Sequence, residues 1–179
     1  MEEMIEEQIE KELEEQVEQL QEALEEEIDS GLVTVERDES RIIVRIQEKG
    51  SFRSGSASLD PAFHQVIARI SAVLAGKPGN IVVAGHTDNV PIRTGRFRSN
   101  WELSAARAVT VLHSMLRNKD LDADRFLVEG HAETVPLASN ATFNGRAQNR
   151  RVELILIREK EMAAPADVLG APGDPAVEE

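Results

Sequence analysis

The chain has 179 residues, 33 of them acidic against 20 basic, with no cysteine, no tyrosine and one tryptophan. The lack of cysteine excludes a disulfide framework, a thiol nucleophile and a cysteine-ligated zinc. No apolar run of about 18 residues is present that could cross a bilayer. The formal charge of -13 is concentrated at the two ends. Residues 1–30 hold 14 acids and Lys11 alone, residues 161–179 hold five acids and no base, and residues 31–160 hold 19 bases and 14 acids. The acidic total argues against nucleic acid as a main partner, and the glutamate-rich start is unlike the basic-then-apolar pattern of a signal peptide.

Residues 1–30 read as one acidic amphipathic linker helix. Ile5, Ile9, Leu13, Val17, Leu20, Leu24 and Ile28 form a single apolar stripe among Glu and Gln, which are good helix formers. Most of the gaps are of four residues, longer than the helical repeat of about 3.6, so the stripe drifts around a straight helix. A stripe this narrow needs a partner surface. Two are open: the helix packs on its own domain, or it associates with a second copy.

From Gly31 the periodicity becomes alternating. Residues 32–36 and 41–46 read as strands of a hairpin around the polar turn 37–40, and residues 49–58 as loop. Asp60 and Pro61 open a helix whose apolar face carries Phe63, Val66, Ile67, Ile70 and Leu74. Residues 81–85 are a short, nearly all-apolar strand of the buried kind. A helix follows from Asn100 to about Arg117, then a strand at 126–130, a loop rich in Asn, Thr and Ala at 131–141, and a last strand at 152–157. Residues 161–179 have the Ala, Pro and acid content of a disordered tail. The middle, 31–160, therefore reads as one mixed α/β (α+β) domain, β-β-α-β-α-β-β, a two-layer sandwich with two helices on one face of a sheet.

The most informative residues follow the buried strand. His86, Thr87, Asp88 and Asn89 stand at its end, and Arg107 lies nineteen residues beyond Asp88 inside the next helix. Strand ends facing a helix start are where α/β folds tend to hold ligands. A carboxylate and a guanidinium at such a place can clamp a zwitterion, the carboxylate taking an ammonium and the arginine a carboxylate. The spacing is also compatible with Asp88 and Arg107 pairing with each other or capping local backbone. His86 and His131, each near an acid at a strand end, raise a zinc site, but neither has helical ligand spacing. No Ser-His-Asp set, phosphate loop or dinucleotide fingerprint is present. Trp101, at the helix entry, either stacks on a sugar or packs under the loop.

Three runs carry a resemblance: Gly85-His86-Thr87-Asp88-Asn89, Asn100-Trp101-Glu102-Leu103-Ser104-Ala105-Ala106-Arg107-Ala108, and Asn149-Arg150-Arg151-Val152-Glu153. Together they resemble the OmpA-like peptidoglycan-binding domain, over about residues 31–160. Within it they look most like the periplasmic part of flagellar motor stator subunits of the MotB and PomB type. The resemblance implies a non-catalytic wall anchor with no cofactor and no metal, in which Asp88 and Arg107 hold the diaminopimelate side chain of the peptidoglycan stem peptide. It also implies that Asn100 and Leu103 line that site, that Thr87 and Asn89 shape its loop, and that Arg151, beside Arg150, lies near it. It further implies a homodimer in the periplasm. A single N-terminal membrane helix outside these 179 residues would anchor it in the inner membrane and meet a channel-forming stator partner of the MotA or PomA type. An OmpA-like envelope lipoprotein or outer-membrane module tethering the envelope to the wall is the alternative function, and a peptidoglycan-cleaving metalloenzyme a third.

Overall fold

The computed structural model describes residues 1–158; the tail assigned to 161–179 lies outside the described residues. In chain order the elements are α1 (Glu2–Ala23), α2 (Glu25–Asp29), β1 (Val33–Asp38), β2 (Arg41–Gln47), α3 (Phe63–Ala75), β3 (Asn80–His86), α4 (Asn100–Met115), β4 (Phe126–Gly130), α5 (Phe143–Asn149) and β5 (Arg151–Ile157). The strands make one sheet in the order β1-β2-β5-β3-β4, with β3 and β4 parallel and every other pair antiparallel. The sheet with helices on one face agrees with the two-layer reading; α5 is an addition. Seven residues with one apolar side chain in the first turn give too weak a periodicity to stand out from the loop before them.

Alternation along the strands divides the sheet into two faces. Val33, Ile42, Val44, Ile46, Ile81, Val83, Val152, Leu154 and Leu156 all belong to the core shared with the helices. The opposite face carries Arg45, His86, Arg151 and Glu153, which are polar and nonetheless largely covered.

The N-terminal stripe lies on its own domain. Leu13, Leu20 and Leu24 are fully buried in the common core, whereas Met1, Met4 and Ile5 at the start stay exposed. The helix is not continuous: Leu24 leaves helical geometry (φ -114°, ψ 16°), which separates α1 from α2. The break answers the drift of the stripe, because re-aiming the last turn keeps Leu24 and Ile28 against the core. Arg69 of α3 fastens the junction by donating to the Ala23 carbonyl and to Glu27, and Arg158 pairs with Glu12 at 2.7 Å.

The position of α4 is set by two glycines. A Cβ on Gly85 of β3 would lie 2.0 Å from the Ser104 carbonyl oxygen, and one on Gly130 of β4 would lie 2.9 Å from Ala105. Glycine at both strand ends, facing small residues on the helix, lets α4 press directly on the sheet. Ser104 Oγ fixes the contact by accepting from the Ala132 backbone N–H at 3.1 Å. This close seat delivers Arg107, one turn further along α4, to the end of the sheet.

Candidate binding cleft

A cleft of about 540 Å³ opens at that end, walled by the loop after β3, the start of α4, the loop after β2, and α5. Asp88, Thr87, Asn100, Leu103 and Arg107 all line it, and so do Glu48, Arg146 and Arg150. Asn89 is exposed and Arg151 is buried, and neither lines the cleft.

Asp88 is 7% exposed. Its Oδ1 accepts from the Val90 N–H at 3.0 Å, and its Oδ2 accepts from Arg150 Nη1 at 2.8 Å. Asn100 donates to the carbonyls of Val90 and Asp88 at 3.0 and 3.4 Å, so its amide holds the loop that carries the carboxylate. Thr87 does similar work, donating its hydroxyl to the Asp88 carbonyl at 2.8 Å and its N–H to the Ala132 carbonyl at 2.8 Å. Leu103 is buried and packs as a helix-face residue.

Arg107 does not touch Asp88 through any hydrogen bond or ion pair; its partners come from the loop after β2. Its Nη1 donates to Glu48 Oε2 at 2.7 Å, its Nε to the Ser56 carbonyl at 2.8 Å and its Nη2 to the Arg53 carbonyl at 3.1 Å. The guanidinium also sits 5.0 Å from the ring centre of Phe52. Thr110, one turn on, donates to the Ala57 carbonyl at 2.7 Å. Residues 51–59 are thus a closed loop, pinned by an isolated Phe52–Leu59 bridge, whose inward carbonyls are satisfied by side chains of α4.

Glu48 is the second acid of the cleft and a residue that the sequence reading passed over. Its Oε1 accepts from Arg150 Nε at 3.1 Å while its Oε2 holds Arg107. The result is an alternating chain, Asp88–Arg150–Glu48–Arg107, that joins three loops. Arg150 therefore occupies the place near the cleft that the sequence reading gave to Arg151. The reason is strand parity: Arg151 opens β5 on the same face as Glu153, and the two bond at 2.6 Å. Arg150 precedes the strand and turns the other way. A signal was available in the alternation itself, since Arg151 and Glu153 are two apart in a strand.

The two histidines raised as metal ligands stack instead, with ring centres 4.7 Å apart and 5° between the planes. Parallel rings send their nitrogens edgewise rather than toward one point, and His131 Nε2 lies 2.8 Å from Glu129. Among the described residues no group of three His, Cys, Asp or Glu side chains could hold a metal ion. Burial pushes the His86 pKa down to about 3, helped by the neighbouring Arg151, His131 and Arg45. Trp101 is 53% exposed, so it does not pack under the loop. Beyond Phe143 the cleft adjoins a broader groove of about 1030 Å³ along β1, β2 and α5, which shares Glu48 and Arg150 with it.

The family model described as the OmpA family matches residues 51–150, which include the loop around Arg107, the Asp88 loop and the α4 motif. The chain belongs to the OmpA family. It is 39% identical over 117 residues to Motility protein B of Bacillus subtilis, a match covering 65% of this chain and 45% of that protein. The solved structure of the cell wall anchor of the T6SS from Pseudomonas aeruginosa is 41% identical, with a TM-score of 0.72 over 78% of this chain and 97% of the other. A putative MotB like protein from Desulfovibrio vulgaris superposes with a TM-score of 0.75 at 30% identity, over 84% of this chain and 96% of its own. The chain spans about half the length of the curated relatives it matches first.

Proposed function

We propose that this domain binds peptidoglycan non-covalently through the diaminopimelate end of a stem peptide, and so anchors an envelope machine to the cell wall. The observation that carries the reading is the cleft itself, where a nearly buried carboxylate, Asp88, shares one small space with guanidinium groups on the family's own motif. A zwitterion needs both signs at short range, and a site that excludes water strengthens both contacts. The groove beyond Phe143 leaves room for the polymer to continue. Nothing in this reading needs covalent chemistry: the acids of the cleft are held by arginines, an arrangement suited to gripping a charged ligand. Co-sedimentation with purified diaminopimelate-type peptidoglycan tests it, with wild type expected in the pellet and Asp88→Ala in the supernatant.

The machine we favour is a flagellar stator, on the strength of the similarity to Motility protein B and to the MotB like structure. In that setting the domain stands in the periplasm as a homodimer. A membrane helix outside these 179 residues would anchor it and meet a separate channel-forming partner subunit. Two clamps in a dimer turn modest single-site affinity into firm attachment, because the second contact is intramolecular. The similarity to the T6SS wall anchor supports a second reading, in which the same cleft holds a secretion machine. Deleting the gene separates them: loss of swimming with secretion intact supports the stator, and the reverse supports the secretion anchor.

A further inference from the structure

The loop between β3 and α4 has an outer side that the cleft does not use. Val90, Pro91, Ile92 and Thr94 line the cleft, whereas Arg93, Arg96 and Arg98 do not. Residues 89–101 hold these arginines and no acid, in a chain whose net charge is -13. All of them are exposed. Arg98 is spent on Glu102, at 3.0 Å. The guanidinium groups of Arg93 and Arg96 have no hydrogen bond or ion pair among the described residues. Arg53 is a further group of this kind, and its loop abuts this one, since a Cβ on Gly55 would lie 3.4 Å from Ile92 Cδ1. Trp101, 53% exposed, ends the segment in the first turn of α4. The loop is built to hold these groups in place. Phe97 is buried, its carbonyl accepts from the Thr94 N–H at 2.9 Å, and its own N–H donates to Thr94 Oγ1 at 3.1 Å.

We propose that this outer side is a second binding surface, for an anionic wall polymer made of sugar-substituted polyol phosphates, with Arg93 and Arg96 on its phosphates and Trp101 against a sugar ring. The inference rests on the wall-binding reading above, which brings such a polymer beside the cleft, and adds a second ligand to it. A planar guanidinium matches a phosphate with two parallel N–H bonds, and these two break no internal ion pair to do so. An indole covers the apolar C–H face of a sugar while its edge stays wet. Holding the loop closed in advance reduces the ordering cost of binding. The acids of α1 confine a polyanion to this end of the domain. α1 starts beside Ser40 and Arg158, and the register of β3 on β5 puts that end of the sheet opposite the one where His86 leads into the loop. A bilayer is the other phosphate-bearing surface. Outside the cleft the loop and the helix start offer it Trp101 as their one exposed large apolar side chain, too little apolar area to anchor in lipid.

The experiment titrates the full chain with a sugar-substituted poly(ribitol phosphate) free of peptidoglycan, by calorimetry at low ionic strength. Wild type is expected to bind it, and to bind more weakly as salt is raised. The double variant Arg93→Gln with Arg96→Gln, at an unchanged melting temperature, is expected to bind about tenfold more weakly, the low end of what a one-signed surface contributes. Trp101→Ala is expected to lose the wild-type preference for the sugar-substituted polymer over bare poly(ribitol phosphate). Asp88→Ala, which removes the carboxylate of the cleft, is expected to bind the polymer as wild type does. No binding by wild type, no sugar preference in wild type, or wild-type affinity in the double variant overturns the proposal. Binding to phosphatidylglycerol vesicles as tight per phosphate as to the polymer also overturns it, in favour of a membrane. If the double variant melts lower than wild type, the two single variants decide, and wild-type affinity in both overturns it. Peptidoglycan stripped of phosphate separates this surface from the cleft: the double variant is expected to sediment with it as wild type does. Failure of wild type to sediment there overturns the diaminopimelate reading, while the polymer titration still decides this one.

Discussion

Arg107 is bonded to Glu48 at 2.7 Å, and that contact ties the motif helix to the chain just after β2. Both side chains are largely buried, and Glu48 spends its other oxygen on Arg150. The pair is the inner half of a four-charge chain that ends at Asp88.

Removing Arg107 should accordingly damage the fold as well as any binding. Arg107→Ala leaves Glu48 without its nearest cation and strips the Ser56 and Arg53 carbonyls of their donor. Breaking a buried pair on one side costs about 3–5 kcal/mol. Urea denaturation is expected to show a loss of this size, whereas Asp88→Ala, on the cleft side of the chain, should lose much less.

The seat of α4 gives a second test. Gly85→Ala places a methyl group 2.0 Å from the Ser104 carbonyl oxygen, a distance that only movement of the helix can relieve. Overpacking of this kind costs about 1–3 kcal/mol or more. Because the displaced helix carries Arg107 and Asn100, the loss of stability should be accompanied by weaker ligand binding, read by melting and by calorimetry on the same sample.

Gln16 is fully buried between α1 and the domain, and neither its Nε2 nor its Oε1 finds a partner. An unsatisfied buried amide costs about 1–3 kcal/mol. Gln16→Leu is expected to raise the urea midpoint correspondingly, through tighter docking of α1. A fall in the midpoint would contradict the burial of that face.

The architecture was largely legible because the hydrophobic period changes cleanly, from helical before Gly31 to alternating after it, and because Gly85 to Asn89 and Asn100 to Ala108 are distinctive runs. The cleft was only half legible. Asp88 and Arg107 stand in motifs and both line it, and Arg150 stands in the third run beside Arg151, where only the strand alternation tells the two apart; Glu48, at the end of β2 and far away in sequence, carries no local pattern that marks it as facing a ligand. Residues 49–58 read as plain loop because their order comes from donors on α4, a tertiary cause. The stripe on residues 5–28 showed that a partner surface was needed without saying which. The answer, its own α3 and sheet, rests on Leu13, Leu20 and the clamp by Arg69.

Acid should weaken the fold through His86. Its pKa is pushed down to about 3 from 6.5, so between those values the unfolded chain binds a proton that the folded chain does not. Stability is then full above pH 6.5 and falls as the pH drops, with a slope approaching about 1.4 kcal/mol per pH unit for one such group. His64, also depressed by burial, adds the same sign. Urea midpoints between pH 7 and 5 should fall for wild type and fall less steeply for His86→Gln. Below 4.5 the carboxylates of Glu12 and Glu27, held low by Arg158 and Arg69, lose their contribution too.

On the proposed function, the cleft at Asp88 grips the charged end of a peptidoglycan stem peptide. Titration calorimetry of the full chain with a diaminopimelate-containing stem peptide, wild type against Asp88→Asn, tests it most directly. Wild type is expected to bind, and the variant, folded by circular dichroism, to bind about 30-fold more weakly or worse. Equal affinity in the two proteins, or no binding by wild type, would contradict it.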